Sequence, residues 1–205
     1  MGFSLLETMR LERGLIVRRD RHVARAAAAA AELGFAWNVA AANAALDAAV
    51  ASHADGAWRT RLLVSPAGDA TVECAPFVHD ETRVWRVGLA SEPVASDDPS
   101  LRVKTTRREI YERAKAARPD LDDVILWNER DEITESTIAN VVAEIDNNWC
   151  TPPVSCGLLP GVFRAAVIEA RMVHERVVTK DDLRRATRIW LINSLREWVK
   201  AVLAP

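Results

Sequence analysis

Leu101-Arg102-Val103-Lys104-Thr105-Thr106-Arg107-Arg108-Glu109 is the stretch that decides how the rest of the chain is read. Leu101–Lys104 alternates as a short apolar strand, and the spacing beyond it predicts a helix over 107–117. Thr106 and Glu109 stand in the relation of a capping box, which starts that helix at the threonine. Lys104 is then caught between a strand end and a helix cap. An amine held in that way suits a reaction in which it must meet a carbonyl in one geometry. Lysine becomes a nucleophile when burial or nearby charge lowers its pKa from about 10.4. For this stretch alone the ordinary reading is a solvated lysine beside a cap.

Working outward, residues 3–11 alternate as a strand, and Glu12-Arg13-Gly14 turns it into a second segment over 15–18. Asp20 is placed to cap a helix reaching Leu33, with Gly34 as its stop, and the alanines at 26–31 read as a close-packed helix face. Asn38 opens a second helix to about Ser52. Strands are expected near 57–65, 70–75 and 82–90, and the polar segment Pro93–Ser100 is the best linker. Beyond the Lys104 helix come strands at 123–128 and 137–145, a turn at Asp146-Asn147-Asn148 and a helix over 162–172. A strand at 175–178, a short helix at 180–186, a strand at 188–192 and a helical period over 195–203 complete the chain. This order predicts an α+β fold in two parts, residues 1–95 and 96–205, with the lysine in the larger second part.

The 205 residues, 49% apolar and 27% charged, are those of an ordinary globular chain with room for substantial cores. A net charge of −2 offers no electrostatic case for nucleic acid or an anionic membrane. Cys74, Cys150 and Cys156 form no C-x-x-C pair, which favours a reducing, cytoplasmic setting. The four histidines are scattered without metal-ligand spacing, so no metal is expected. The apolar run at 26–31 is too short to span a bilayer.

Further blocks recur in a fixed order. They are Phe3-Ser-Leu-Leu-Glu-Thr-Met-Arg10; His22-Val-Ala-Arg25; Lys104-Thr-Thr-Arg-Arg with Tyr111; Glu132-Ile-Thr-Glu135 leading to Asn140; Thr151-Pro-Pro153; Gly157-Leu-Leu-Pro-Gly161-Val-Phe-Arg164; and Leu191-Ile-Asn-Ser194-Leu-Arg196. The ordered set resembles the class IV aminotransferases, which use pyridoxal 5′-phosphate and include branched-chain and D-amino-acid aminotransferases and aminodeoxychorismate lyase. Within that family it is most similar to the lyase-type domain fused to an aminobenzoate synthase component. The resemblance implies the two-domain fold of D-amino-acid aminotransferase, with the cofactor held between the domains of a homodimer. Free-standing family members usually carry a further N-terminal segment before the block matching Phe3–Arg10, whereas this chain starts at that block, as the fused domains do.

By the same resemblance Lys104 is the Schiff-base lysine and Glu135 the carboxylate that holds the proton on the pyridine nitrogen, with Asn140 supporting it. Arg25 and Ser194 match phosphate ligands, and the N–H groups of Gly161, Val162 and Phe163 form the phosphate loop. Many relatives have threonine where this chain has Phe163. Arg10, Arg107 and Arg108 are candidates for a substrate carboxylate, and the sequence does not rank them against structural roles. Tyr111 reads as a packed helix residue. The implied activity is release of pyruvate and 4-aminobenzoate from 4-amino-4-deoxychorismate, a step toward folate. An amino-acid transaminase shares every cofactor residue, and a silent paralogue that only binds a cofactor or partner is the alternative of another class.

Overall fold

Strand β1 (Leu5–Glu12) sends Leu5, Met9 and Leu11 to one face, where each is 2% exposed or less. The hairpin partner β2 (Leu15–Ile16) follows a turn in which Arg13 and Gly14 both have positive φ. Helices α1 (Arg19–Leu33) and α2 (Val39–Ser52) cover the sheet with small residues, Ala29, Ala30 and Ala42, beside Leu46. Alanine adds little bulk, so helix and sheet approach closely. Gly34 ends α1 in the left-handed conformation at φ 68. The Asn38 side chain caps α2 by accepting from the Ala41 N–H at 3.0 Å. Asp20 does not cap α1 as expected: the cap position is Arg18, itself left-handed, and Asp20 lies in the first turn. There its charge still favours the helix dipole. Strands β3 (Ala57–Val64) and β4 (Ala70–Pro76) complete an antiparallel sheet in the order β2-β1-β3-β4.

This computed structural model describes residues 2–204, which fall into two compact units. The first runs to His79 and takes back Val103–Arg107; the second is Asp80–Arg102 with the chain from Arg108 onward. The division differs from the sequence boundary near residue 95, and it puts Lys104 in the first unit, not the second. The reason is strand pairing. Thr105 forms an antiparallel bridge with Leu5, Leu6 N–H donates to Lys104 O at 3.0 Å, and Thr106 N–H donates to Ser4 O at 2.9 Å. β2 reaches only Leu11 and Glu12, so the start of β1 has backbone groups that this returning segment satisfies. No regular strand over 101–104 and no capping box at Thr106 form. Pro99–Leu101 is a 3-10 turn, and the Thr106 hydroxyl instead accepts from Ser4 N–H.

In the second unit the elements are β5 (Trp85–Leu89), α3 (Glu109–Ala117), β6 (Asp123–Trp127), β7 (Ile133–Ser136), β8 (Asn140–Ile145) and β9 (Asn148–Thr151). They are followed by α4 (Val162–Glu169), β10 (His174–Glu175), α5 (Lys180–Arg185), β11 (Arg188–Asn193) and β12 (Glu197–Leu203). The sheet order is β10-β9-β8-β11-β12-β5-β6-β7, and β7 pairs back onto β8. That last pairing closes β8-β11-β12-β5-β6-β7 into a barrel. Val87, Ile125, Ile133, Val141, Ala143, Leu191, Val199 and Ala201 share one core, while Val142, Trp190 and Ile192 pack on the other face against Phe163 and Val167 of α4.

Two expectations fail here. Residues 195–203 are not helical; β12 pairs antiparallel with β11 and parallel with β5. Residues 137–139 are not strand but the turn between β7 and β8. In β12 buried Val199 and Ala201 alternate with exposed Lys200 and Val202, but apolar residues stand on both faces, and Trp198-Val199 with Val202-Leu203 imitates a helix repeat. No helix among the described residues is long and apolar enough to cross a membrane.

Candidate functional site

In the first unit the chemistry gathers around a residue that sequence reasoning did not single out. Glu7 takes the place of an apolar side chain on the core-facing side of β1, between Leu5 and Met9, and is 2% exposed. A bare buried carboxylate is costly, so it must be matched. Arg25 donates from Nε to Oε1 at 2.9 Å and from Nη2 to Oε2 at 2.6 Å, and His22 Nδ1 lies 2.7 Å from Oε2. The i, i+3 spacing on α1 puts both residues on one face. Burial pushes the Glu7 carboxyl upward, but the Arg25 charge and the bonds from His22 and Arg25 outweigh it and hold the group at about 2. Burial lowers His22, the Glu7 bond opposes this, and the Arg25 and Lys104 charges add to the lowering. The half-buried Lys104 therefore sits within electrostatic reach of the cluster. The available signal was phase: a glutamate at the third position of Leu5-x-Glu7-x-Met9-x-Leu11 faces the core.

The other first-unit candidates lie apart in role. Arg10 pairs across the sheet with Arg59 and forms an ion pair with Glu12 at 3.5 Å. Arg107 rests its guanidinium 3.7 Å over the Phe3 ring.

In the second unit the residues converge at the seam where the barrel closes. Glu135 of β7 stands opposite Asn140 of β8, and Asn140 stands opposite Ile192 of β11, two residues before Ser194. Glu135 is 5% exposed; it accepts from the Tyr111 hydroxyl at 2.8 Å and from Asn140 Nδ2 at 3.5 Å. Burial raises the Tyr111 phenol well above its ordinary range, and the Glu135 charge raises it further. Asn140 Nδ2 also donates to Leu159 O at 2.9 Å, tying the loop before α4 to the seam.

That loop ends at Gly161, the cap position of α4, which has no side chain to offer the helix amides. A Cβ there would meet Asn140 Oδ1 at 2.0 Å, so the close approach of loop and strand requires glycine. Val162 and Phe163 are the first helical residues, and Phe163 is buried beside Trp198 with ring centroids 5.9 Å apart. A helix start without a side-chain cap suits an anion, and Ser194 carries a buried hydroxyl. Arg108, offered for a substrate carboxylate, donates from Nη2 to Thr137 O at 2.5 Å and lies 4.8 Å over the Tyr111 ring. Glu132 is engaged by Arg130 and Asn128.

Each unit offers groups that fit pyridoxal phosphate by their chemistry. In the first an amine suits an aldehyde and a guanidinium a phosphate; in the second a buried carboxylate suits a pyridine nitrogen and a hydroxyl with helix-terminal amides a phosphate.

Comparison with known proteins agrees. Residues 4–203 match the model of the family described as amino-transferase class IV. A Schizosaccharomyces pombe protein, provisionally named an aminodeoxychorismate lyase, is 34% identical over 153 residues, covering 71% of this chain and 66% of that protein. The chain thus spans just under two thirds of that relative's length. A Mesorhizobium loti structure, provisionally named an amino-acid aminotransferase, is 40% identical with a TM-score of 0.93, covering 98% of this chain and 100% of that one. A hypothetical aminotransferase of Mycobacterium tuberculosis, solved with pyridoxal phosphate bound, shares the fold at 21% identity and TM-score 0.86, covering 98% of this chain and 81% of that one.

Proposed function

The chain belongs to the class IV aminotransferase family, enzymes that work with pyridoxal 5′-phosphate, and from that premise we propose that it is an aminodeoxychorismate lyase. The reaction converts 4-amino-4-deoxychorismate to 4-aminobenzoate and pyruvate. The observation that carries this choice within the family is the 34% identity to the Schizosaccharomyces pombe protein of that name. Aromatisation of the ring drives the elimination, so the enzyme's task is an electron sink and a placed base. The bound cofactor supplies the sink for charge developing at the substrate carbon that bears the amine.

The chain's own residues divide the remaining work. Lys104 Nζ would hold the cofactor at its aldehyde carbon and, once displaced by the substrate's amine, would as a free amine take the proton from the substrate carbon. Glu135 holds a proton on the pyridine nitrogen, and Asn140 orients that carboxylate. Arg25, Ser194 and the amides of Gly161, Val162 and Phe163 bind the phosphate. Phe163 brings no hydroxyl, so backbone donors carry that contact. Glu7 fixes the Arg25 guanidinium through Nε and Nη2 and so sets its orientation. A homodimer in the cytoplasm supplying a folate precursor is the setting consistent with this role.

A second reading, amino-acid transaminase, is favoured by the 40% identity to the Mesorhizobium loti structure along its whole length. The deciding experiment incubates the purified protein with aminodeoxychorismate and no keto acid. Equal amounts of 4-aminobenzoate and pyruvate are expected. Turnover of branched-chain or D-amino acids that depends on 2-oxoglutarate, with no aminobenzoate formed from the chorismate derivative, gives the function to the transaminase.

A further inference from the structure

Tyr111 is the only tyrosine of the chain, and its hydroxyl is committed to one oxygen of a buried carboxylate. The surroundings of that bond are built to keep it in place. Arg108, one helical turn earlier, lies over the Tyr111 ring and donates to Thr137 O in the turn that joins β7 to β8. The hydroxyl of the same Thr137 donates to the buried Asp123 of β6, which also accepts from the Val124 N–H. The start of α3 is thereby fastened to both sides of the Glu135 hairpin. On the ring's other edge Ile110 and Tyr111 pack against Val94, Leu101 and Leu126.

A packing role alone needs no hydroxyl; phenylalanine would fill the same space. A neutral donor on a carboxylate does something a cation does not: it fixes the oxygen and favours the ionised form without cancelling the charge. We infer that Tyr111, held by Arg108, is a positioning residue that sets the orientation and ionisation of Glu135 for its work on the cofactor's pyridine nitrogen. The inference rests on the reading of Glu135 as the pyridinium partner. It assigns Arg108 to this brace, away from a substrate carboxylate.

Because tyrosine occurs once, growth on 3-fluorotyrosine labels this position alone and leaves the fold intact. The ¹⁹F resonance of the labelled protein should move when Glu135 is changed to glutamine. Tyr111→Phe should weaken cofactor binding, followed by tryptophan quenching, and lower kcat by about tenfold with KM little changed, the scale of one hydrogen bond to a charged group. In the Glu135→Gln background the same change should add less than about twofold to either loss, since the carboxylate it acts through is gone. A ¹⁹F resonance indifferent to Glu135→Gln, full kcat in Tyr111→Phe, or losses that multiply in the double variant each overturn the inference. A severely impaired Glu135→Gln beside an unimpaired Tyr111→Phe removes the inference alone. A Glu135→Gln protein with normal cofactor affinity and turnover removes the reading of Glu135 as well.

Discussion

Two buried glutamates on β-strands, Glu7 and Glu135, are treated in opposite ways. Glu7 meets a guanidinium through two bonds and an imidazole through a third, and its charge is answered on the spot. Glu135 accepts from a phenol and an amide, neutral donors that orient a carboxylate. The first arrangement makes a rigid anchor for a cation. The second makes a base-like group ready for a proton held on something else. The difference teaches that burial by itself does not mark a functional carboxylate; the charge of its donors does.

The largest effect tests the amine proposed to hold the cofactor. Lys104→Ala should abolish covalent attachment of the cofactor and lower turnover by about 10⁴-fold, the upper range for loss of a placed base. Borohydride reduction followed by peptide mapping checks this; a label on a peptide lacking Lys104 breaks the assignment.

The anchor is tested by stability. Glu7→Gln leaves Arg25 part-buried without its counter-charge and should cost about 3–5 kcal/mol in urea unfolding. The pH dependence follows from the direction of the shifts. With Glu7 held at about 2 against an ordinary 4.5, its stabilisation is complete above about pH 4.5 and is lost as pH falls through about 2. His22 is lowered from 6.5, so the unfolded chain takes up that proton first and the decline begins below about pH 6.5. The variant should lose the part of the acid decline below pH 4.5. An unchanged acid profile would show that Glu7 is not the anchor.

The proton-holding carboxylate is tested by chemistry. Glu135→Gln should leave folding almost untouched, because an amide still accepts from Tyr111, yet slow turnover by about 10²-fold. A stability loss as large as that of Glu7→Gln would erase the contrast between the two.

The smallest effects sharpen the anchor's purpose. Arg25→Ala should weaken cofactor affinity by about 1.5–3 kcal/mol and Ser194→Ala by about 1 kcal/mol, since a charged donor outweighs a neutral one. Titration of the apo-protein gives the order, and a larger loss at Ser194 reverses it.

Local stretches of the sequence determined a good deal unaided. Gly34 and Asn38 bounded their helices because a left-handed stop and a side-chain cap are choices made within a few residues. Asp146 and Asn147, both at positive φ, turned β8 into β9 for the same reason. The ordered blocks from Phe3 to Arg196 were sufficient to identify the family, and with it the cofactor. Tertiary structure alone decided the rest, wherever a residue's role depends on a distant partner. Thr106 carries the signature of a cap and spends its hydroxyl on Ser4, far away in sequence. Residues 197–203 carry a helical repeat and become a strand, because β11 and β5 take up their backbone groups on both sides. Tyr111 and Glu135 lie on different elements, and only the packing of α3 against the barrel seam joins them. Backbone propensity is a property of neighbours in the chain, whereas the satisfaction of buried polar groups is a property of neighbours in space.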